Sequence, residues 1–150
     1  MIIEVTNEEE MKAFGARLGR HLNGGEVLEL VGDVGSGKTT LTKGIATGLD
    51  VDEDVQSPSF TISRVYSARD GLTLAHYDFY RLGHAGIMAN ELHETILNPR
   101  TVTVIEWGGI VEGALPADRL TLNIVSPTET TRRIIVEAHG LKSRKIEQAL

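Results

Sequence analysis

The spacing of apolar side chains along the 150 residues changes period several times, and each change marks an element. Ile2, Ile3 and Val5 read as a short strand over 2–5, followed by Thr6-Asn7-Glu8-Glu9, which fits a capping box. Met11, Phe14, Leu18 and Leu22 then mark one face of a helix that Gly24-Gly25 stops. Glu26 to Val31 alternates and is rich in strand formers. Leu41, Ile45 and Leu49 recur every fourth residue, the stripe of a helix starting near Gly37; Gly44 and Gly48 weaken it, and Gly48 lies close to its end. Past an acidic loop, Ile62–Tyr66 and Leu72–Tyr80 read as strands joined at Asp70-Gly71. Gly86–Ile96 reads as a helix with Ile87, Met88, Leu92 and Ile96 inward, and Thr101–Trp107 as a strand rich in β-branched residues. Arg119–Val125 and Arg132–Ala138 pair as a further antiparallel unit, and a short helix runs from Lys142 onward.

This order predicts an α/β fold: a mixed β-sheet flanked by helices, parallel where crossovers intervene and antiparallel at its flanks. The length is that of one domain over residues 1–150. Composition adds exclusions. No run approaches the roughly 18 apolar residues of a membrane span, no signal peptide is visible, and there is no cysteine. A cytoplasmic protein without membrane contact is the resulting expectation. A net charge of −6 and a pI near 5.3 argue against a broad nucleic-acid footprint. The basic groups at Arg132-Arg133 and at Lys142, Arg144 and Lys145 are short runs of the kind that form solvated faces.

The chemistry starts between the second strand and second helix. Gly32-Asp33-Val34-Gly35-Ser36-Gly37-Lys38-Thr39 is a complete Walker A sequence, G-x-x-x-x-G-K-[ST], with Thr40 beyond it. Its glycines let backbone N–H groups converge on an anion at the positive end of a helix. Lys38 is placed to reach β- and γ-phosphates, and the Thr39 hydroxyl to meet Mg²⁺. A P-loop NTPase-like domain is the fold this implies, with a triphosphate and Mg²⁺ as ligands.

Phosphoryl transfer is mostly positioning and charge neutralisation, so further acids matter. Val102-Thr103-Val104-Ile105 ends in Glu106, an apolar strand closing on a carboxylate, as in a Walker B element that holds Mg²⁺ or its water. Asp78 lies in His76-Tyr77-Asp78-Phe79-Tyr80-Arg81. It either orients the attacking water or joins the metal's surroundings; the alternatives are an ion pair with Arg81 or a turn cap. His76 reads as a packed strand histidine, and no zinc site is expected from five scattered histidines. Ser57-Pro58-Ser59-Phe60-Thr61 occupies the place of a nucleotide-sensing loop. Trp107 suits the core, a partner surface or the site equally. Thr6 and Arg133 are candidates to meet the base.

Four blocks together resemble the TsaE (YjeE) family, small ATPases of bacterial tRNA threonylcarbamoyladenosine synthesis: residues 32–40, residues 57–61, His76-Tyr77-Asp78-Phe79-Tyr80-Arg81-Leu82, and Ile105-Glu106-Trp107. The Walker block is generic, whereas the last two are specific to the family. The stretch Gly83–Leu92 departs from it, lacking the Glu-Glu-Leu segment of many members. The resemblance implies ATP binding with slow hydrolysis that resets a complex between rounds of modification. The implied partners are a threonylcarbamoyl-transferase and its inactive paralogue (TsaD and TsaB type), with tRNA reached only through them. It implies Thr39 and Glu106 as magnesium residues and Asp78 as the family's aspartate. ATP over GTP rests on the same resemblance and on the lack of an Asn-Lys-x-Asp signature. Two other readings compete: a small-molecule kinase with Asp78 as general base, disfavoured by the lack of an Arg-rich lid, and a nucleotide-gated binding module without turnover.

Overall fold

The computed structural model describes residues 1–58, 62–80 and 86–150. The strands are β1 (Ile2–Val5), β2 (Val27–Val31), β3 (Ser63–Ser67), β4 (Thr73–Asp78), β5 (Thr101–Glu106), β6 (Leu120–Val125) and β7 (Arg132–Ala138). The helices are α1 (Glu8–Arg20), α2 (Lys38–Gly48), α3 (Gly86–Leu97) and α4 (Leu141–Ala149). All seven strands share one sheet in the order β1-β7-β6-β2-β5-β4-β3. The inner four, β6, β2, β5 and β4, run parallel, and β7, β1 and β3 are added antiparallel at the two flanks. This is the mixed α/β sheet that the periodicity predicts. Among the described residues no helix is long and apolar enough to cross a membrane.

Side-chain alternation divides the core into two layers. On one face Leu28, Leu30, Leu74, Val102 and Val104 pack against Met11, Phe14 and Leu18 of α1 and Leu41 and Ile45 of α2. On the other Val27, Ala75, Tyr77 and Ile105 pack with Leu92 of α3, flanked by Met88 and Ile96. The Ile87 side chain lies outside the described residues. The same alternation puts His76, Asp78 and Glu106 on the face of α1 and α2, because they follow Leu74 and Val104 by even steps.

Glycines set the distance between α1 and α2. A Cβ on Gly15 would stand 2.9 Å from the Gly44 Cα, and one on Gly19 would stand 3.0 Å from the Gly48 Cα. The residues that lower the helix propensity of α2 are therefore the ones that let the helices touch backbone to backbone. At the far end of this pair Arg69, on the β3–β4 turn, donates to the carbonyls of Gly19 (3.3 Å), Arg20 (3.3 Å), Leu22 (2.6 Å) and Gly48 (2.7 Å). One guanidinium thus satisfies carbonyls left over at the C-terminal ends of both helices, where positive charge also suits the helix dipoles. The α1 start is shifted by one residue from the expected capping box. Asn7 is the N-cap, accepting from the Glu10 N–H at 2.8 Å, and the Glu10 carboxylate receives the Thr6 N–H and hydroxyl. The Asn7 amide oxygen reaches the N3 amide, and the N3 side chain, Glu10, reaches back to Thr6.

Gly44→Ala tests the glycine contact by sign. Propensity alone would gain about 1 kcal/mol, but the methyl group meets Lys12 and Gly15 backbone, and overpacking of that kind costs roughly 1–3 kcal/mol. We expect a lower melting temperature than wild type, measured by calorimetry, with Gly109→Ala, whose Cβ meets nothing within 4 Å, as the neutral control.

Candidate functional site

The site forms where β2 runs into α2. Gly35 (φ +80°) and Gly37 (φ +106°) hold left-handed backbone that an L side chain would strain. Gly32 needs its missing side chain for another reason: a Cβ there would stand 2.6 Å from Ser36 Oγ and 2.8 Å from the Ile124 carbonyl. The loop closes on itself through the Ser36 N–H to the Asp33 carbonyl at 3.0 Å. Arg132 of β7 braces it from behind, donating to the carbonyls of Ser36 (3.0 Å) and Gly35 (3.4 Å). These bonds hold the Gly35 and Ser36 carbonyls to Arg132, so the shape of the loop is fixed from outside it.

Lys38 opens α2 and folds back over the loop. Its ammonium donates to the Gly32 carbonyl at 2.5 Å and the Asp33 carbonyl at 2.9 Å, and lies 4.4 Å from the centre of the Trp107 indole. Burial lowers its pKa, an effect opposed by the nearby charges of Glu106, Asp78 and Asp33. Trp107 itself sits at φ +58°, a backbone strain that turns the chain at the end of β5. Its ring packs on Tyr80 at 5.0 Å. Trp107 therefore belongs to the site, one of the three roles open to it in the sequence.

Lys38, Thr39, Ser57, Asp78, Glu106 and Trp107 line one cleft of about 410 Å³. The parallel ladder sets Asp78 directly beside Glu106. Asp78 accepts the Tyr80 N–H at 3.0 Å, a turn cap, and the Ser57 hydroxyl at 3.3 Å. The alternative partner Arg81 lies outside the described residues, as do Ser59, Phe60 and Thr61 of the hydroxyl-rich loop and residues 82–85. Glu106 is buried, and its Oε2 meets His76 Nε2 at 2.5 Å. Among the described residues no three His, Asp or Glu side chains gather as a metal cage. Magnesium takes one or two protein oxygens and completes its shell with phosphates and water. Thr39 and Glu106 are the residues that could hold it.

A second hollow of about 350 Å³ opens at the outer side of the loop, lined by Thr6, Asn7, Met11, Thr40 and Arg132 among others. Thr6 lines this hollow. Arg133 does not: on the alternating strand it points away and pairs with Glu4 at 2.9 Å, so its neighbour Arg132 is the arginine at the hollow. A larger hollow of about 610 Å³, on the β6 side of the loop, carries Glu29, Asp33 and Glu112, a charge that repels phosphate. Two contacts escaped the sequence reading: that of His76 with Glu106 and that of Arg132 with the glycine-rich loop. The signal for His76 was present, since His-x-Asp on one strand puts both side chains on one face.

Comparison with known proteins agrees on one family. The model of the threonylcarbamoyl adenosine biosynthesis protein TsaE matches residues 5–134. The chain is 43% identical over 116 residues to the tRNA threonylcarbamoyladenosine biosynthesis protein TsaE of Streptomyces coelicolor, covering 76% of this chain and 78% of that protein. It is 38% identical over 139 residues to the protein of that name from Bacillus subtilis, covering 89% and 83%. A crystal structure of Bacillus subtilis YdiB superposes with a TM-score of 0.78 at 32% identity, over 99% of this chain and 93% of that one.

Trp107 is the one tryptophan, which makes the ammonium above it observable. Lys38→Met should change the intensity or wavelength of its emission with no ligand added, at unchanged circular dichroism. Identical spectra would show that the ammonium does not sit over the ring.

Proposed function

The chain belongs to the TsaE family of threonylcarbamoyl adenosine biosynthesis proteins, and from that premise we propose that it is a slow, partner-stimulated ATPase supporting tRNA threonylcarbamoyladenosine formation. The observation that carries this reading is the convergence of Lys38, Thr39, Asp78 and Glu106 on one cleft beside the glycine-rich loop. In it the loop amides and Lys38 hold the phosphates, and Lys38 leaves the Gly32 and Asp33 carbonyls to do so. Thr39 and Glu106 would hold Mg²⁺, which would supply neutralisation of charge on the phosphate oxygens. Asp78 orients the attacking water, its carboxylate fixed by the Tyr80 amide and the Ser57 hydroxyl. The hollow between Thr6, Met11 and Arg132 takes the base and ribose. The partners are the threonylcarbamoyl-transferase and its paralogue, of the TsaD and TsaB type, and tRNA meets this subunit only through them.

The test is steady-state ATP hydrolysis by the isolated chain and with the two partner proteins. We expect little turnover alone and clear stimulation together; vigorous hydrolysis by the isolated chain, or phosphate transferred to a small acceptor, would reject the reading. Lys38→Ala should weaken ATP binding about 10-fold or more, as loss of a charged hydrogen-bond donor does. Asp78→Asn should spare binding and slow stimulated hydrolysis by about 100-fold, the lower range for a proton-handling group.

The two adjacent arginines separate the base hollow from the sheet edge. Arg132→Ala should weaken ADP binding several-fold by calorimetric titration, whereas Arg133→Ala should leave it unchanged. Equal effects would place the hollow elsewhere.

A further inference from the structure

His76 is fully buried in the middle of β4, where Leu74 before it and Val104 beside it on its face are apolar and Asp78 follows at the strand's end. A leucine or valine would fill such a place without the cost of drying an imidazole and a carboxylate together. The pair is nonetheless there: His76 Nε2 lies 2.5 Å from Glu106 Oε2, with side-chain exposures of 0% and 4%. His76 Nδ1 is buried and has no hydrogen-bond partner among the described residues. A carboxylate oxygen accepts, so the hydrogen of this bond is carried by Nε2. The imidazole therefore directs its Nε2–H donor at Glu106.

Glu106 has another cation within reach of its field. Lys38 feels the charges of both Glu106 and Asp78, yet its ammonium is bound to the Gly32 and Asp33 carbonyls and forms no ion pair among the described residues. A carboxylate free to rotate would be drawn to that ammonium. One held by its Oε2 is not, and Glu106 lines the cleft together with Thr39.

We propose that His76 is a positioning residue: its Nε2–H fixes the Glu106 carboxylate in the orientation that receives a divalent cation and keeps it off Lys38. This rests on the assignment of Glu106 to the metal under the proposed function. Partners of this kind, which hold a ligating side chain from behind, change metal affinity by about 10–100-fold when removed.

The test uses the full chain as wild type, His76→Leu and His76→Gln, glutamine because its amide N–H reaches about as far as imidazole Nε2. Affinity for ADP is measured in EDTA, affinity of the ADP-loaded protein for Mn²⁺ is measured by electron paramagnetic resonance, and folding is followed by thermal unfolding. We expect His76→Leu to bind Mn²⁺ about 10–100-fold more weakly with metal-free ADP affinity within about twofold of wild type, and His76→Gln to recover most of the loss. Should leucine prevent folding, His76→Asn, whose amide stops short of Glu106, takes its place. Unchanged Mn²⁺ affinity, an equal loss of metal-free ADP binding, or a glutamine variant as poor as leucine would overturn the inference. A wild-type chain that binds ADP but takes no Mn²⁺ overturns the metal assignment and this inference together; wild-type Mn²⁺ binding matched by His76→Leu overturns this inference alone.

Discussion

The site depends on the register of one pair of strands. β4 and β5 run parallel with Ala75 opposite Thr103 and Asp78 opposite Glu106. Because a strand alternates its faces residue by residue, a slip of one position would carry every side chain of β4 through the sheet. Leu74, His76 and Asp78 would then leave the layer of α1 and α2, and Ala75 and Tyr77 would leave the layer of α3. The apolar members of each set enforce the register, since Leu74 and Val104 are buried on one side and Tyr77 and Ile105 on the other. Packing of ordinary core residues thus fixes where three polar side chains stand.

The loop between β2 and α2 meets this arrangement from the next strand. Its glycines supply backbone shapes, and Arg132 takes up carbonyls behind it, but the charge at its mouth is set by neighbours. Lys38 is a cation in a partly dried place, held by two carbonyls, an indole face and the field of three carboxylates. An ammonium so placed is bound by several weak partners and tied to no single anion. The folded-back position is therefore one a stronger anion can compete for, which is what a reversible phosphate grip needs.

The element order and mixed topology were legible because the apolar periods are clean and the hairpins carry turn residues such as Asp70-Gly71, both of which sit at positive φ. The loop, Thr39, Asp78 and Glu106 were legible because each is named by a motif whose spacing is local. What escaped was contact across distance. The arginine at the hollow is Arg132 and not Arg133, a choice made by strand alternation against β1, where Glu4 claims the neighbour. His76 was read as core, which its burial supports, but its partner is 30 positions away on another strand. The glycines of α2 were read as helix defects because nothing within that helix says that Gly15 and Gly19 of α1 stand opposite.

That glycine contact has a consequence for how the site can be tuned. Met11, from the same helix as Gly15, packs close to Gly37 at the mouth of the loop, and α1 supplies one wall of the hollow beside it. The width of that hollow is therefore set by how near two helix axes lie, and that nearness by four missing methyl groups one to three turns away. The shape of that hollow thus has a mechanical adjustment at positions outside its lining, so variation within the interior of the helix pair can reshape it while the motifs stay intact.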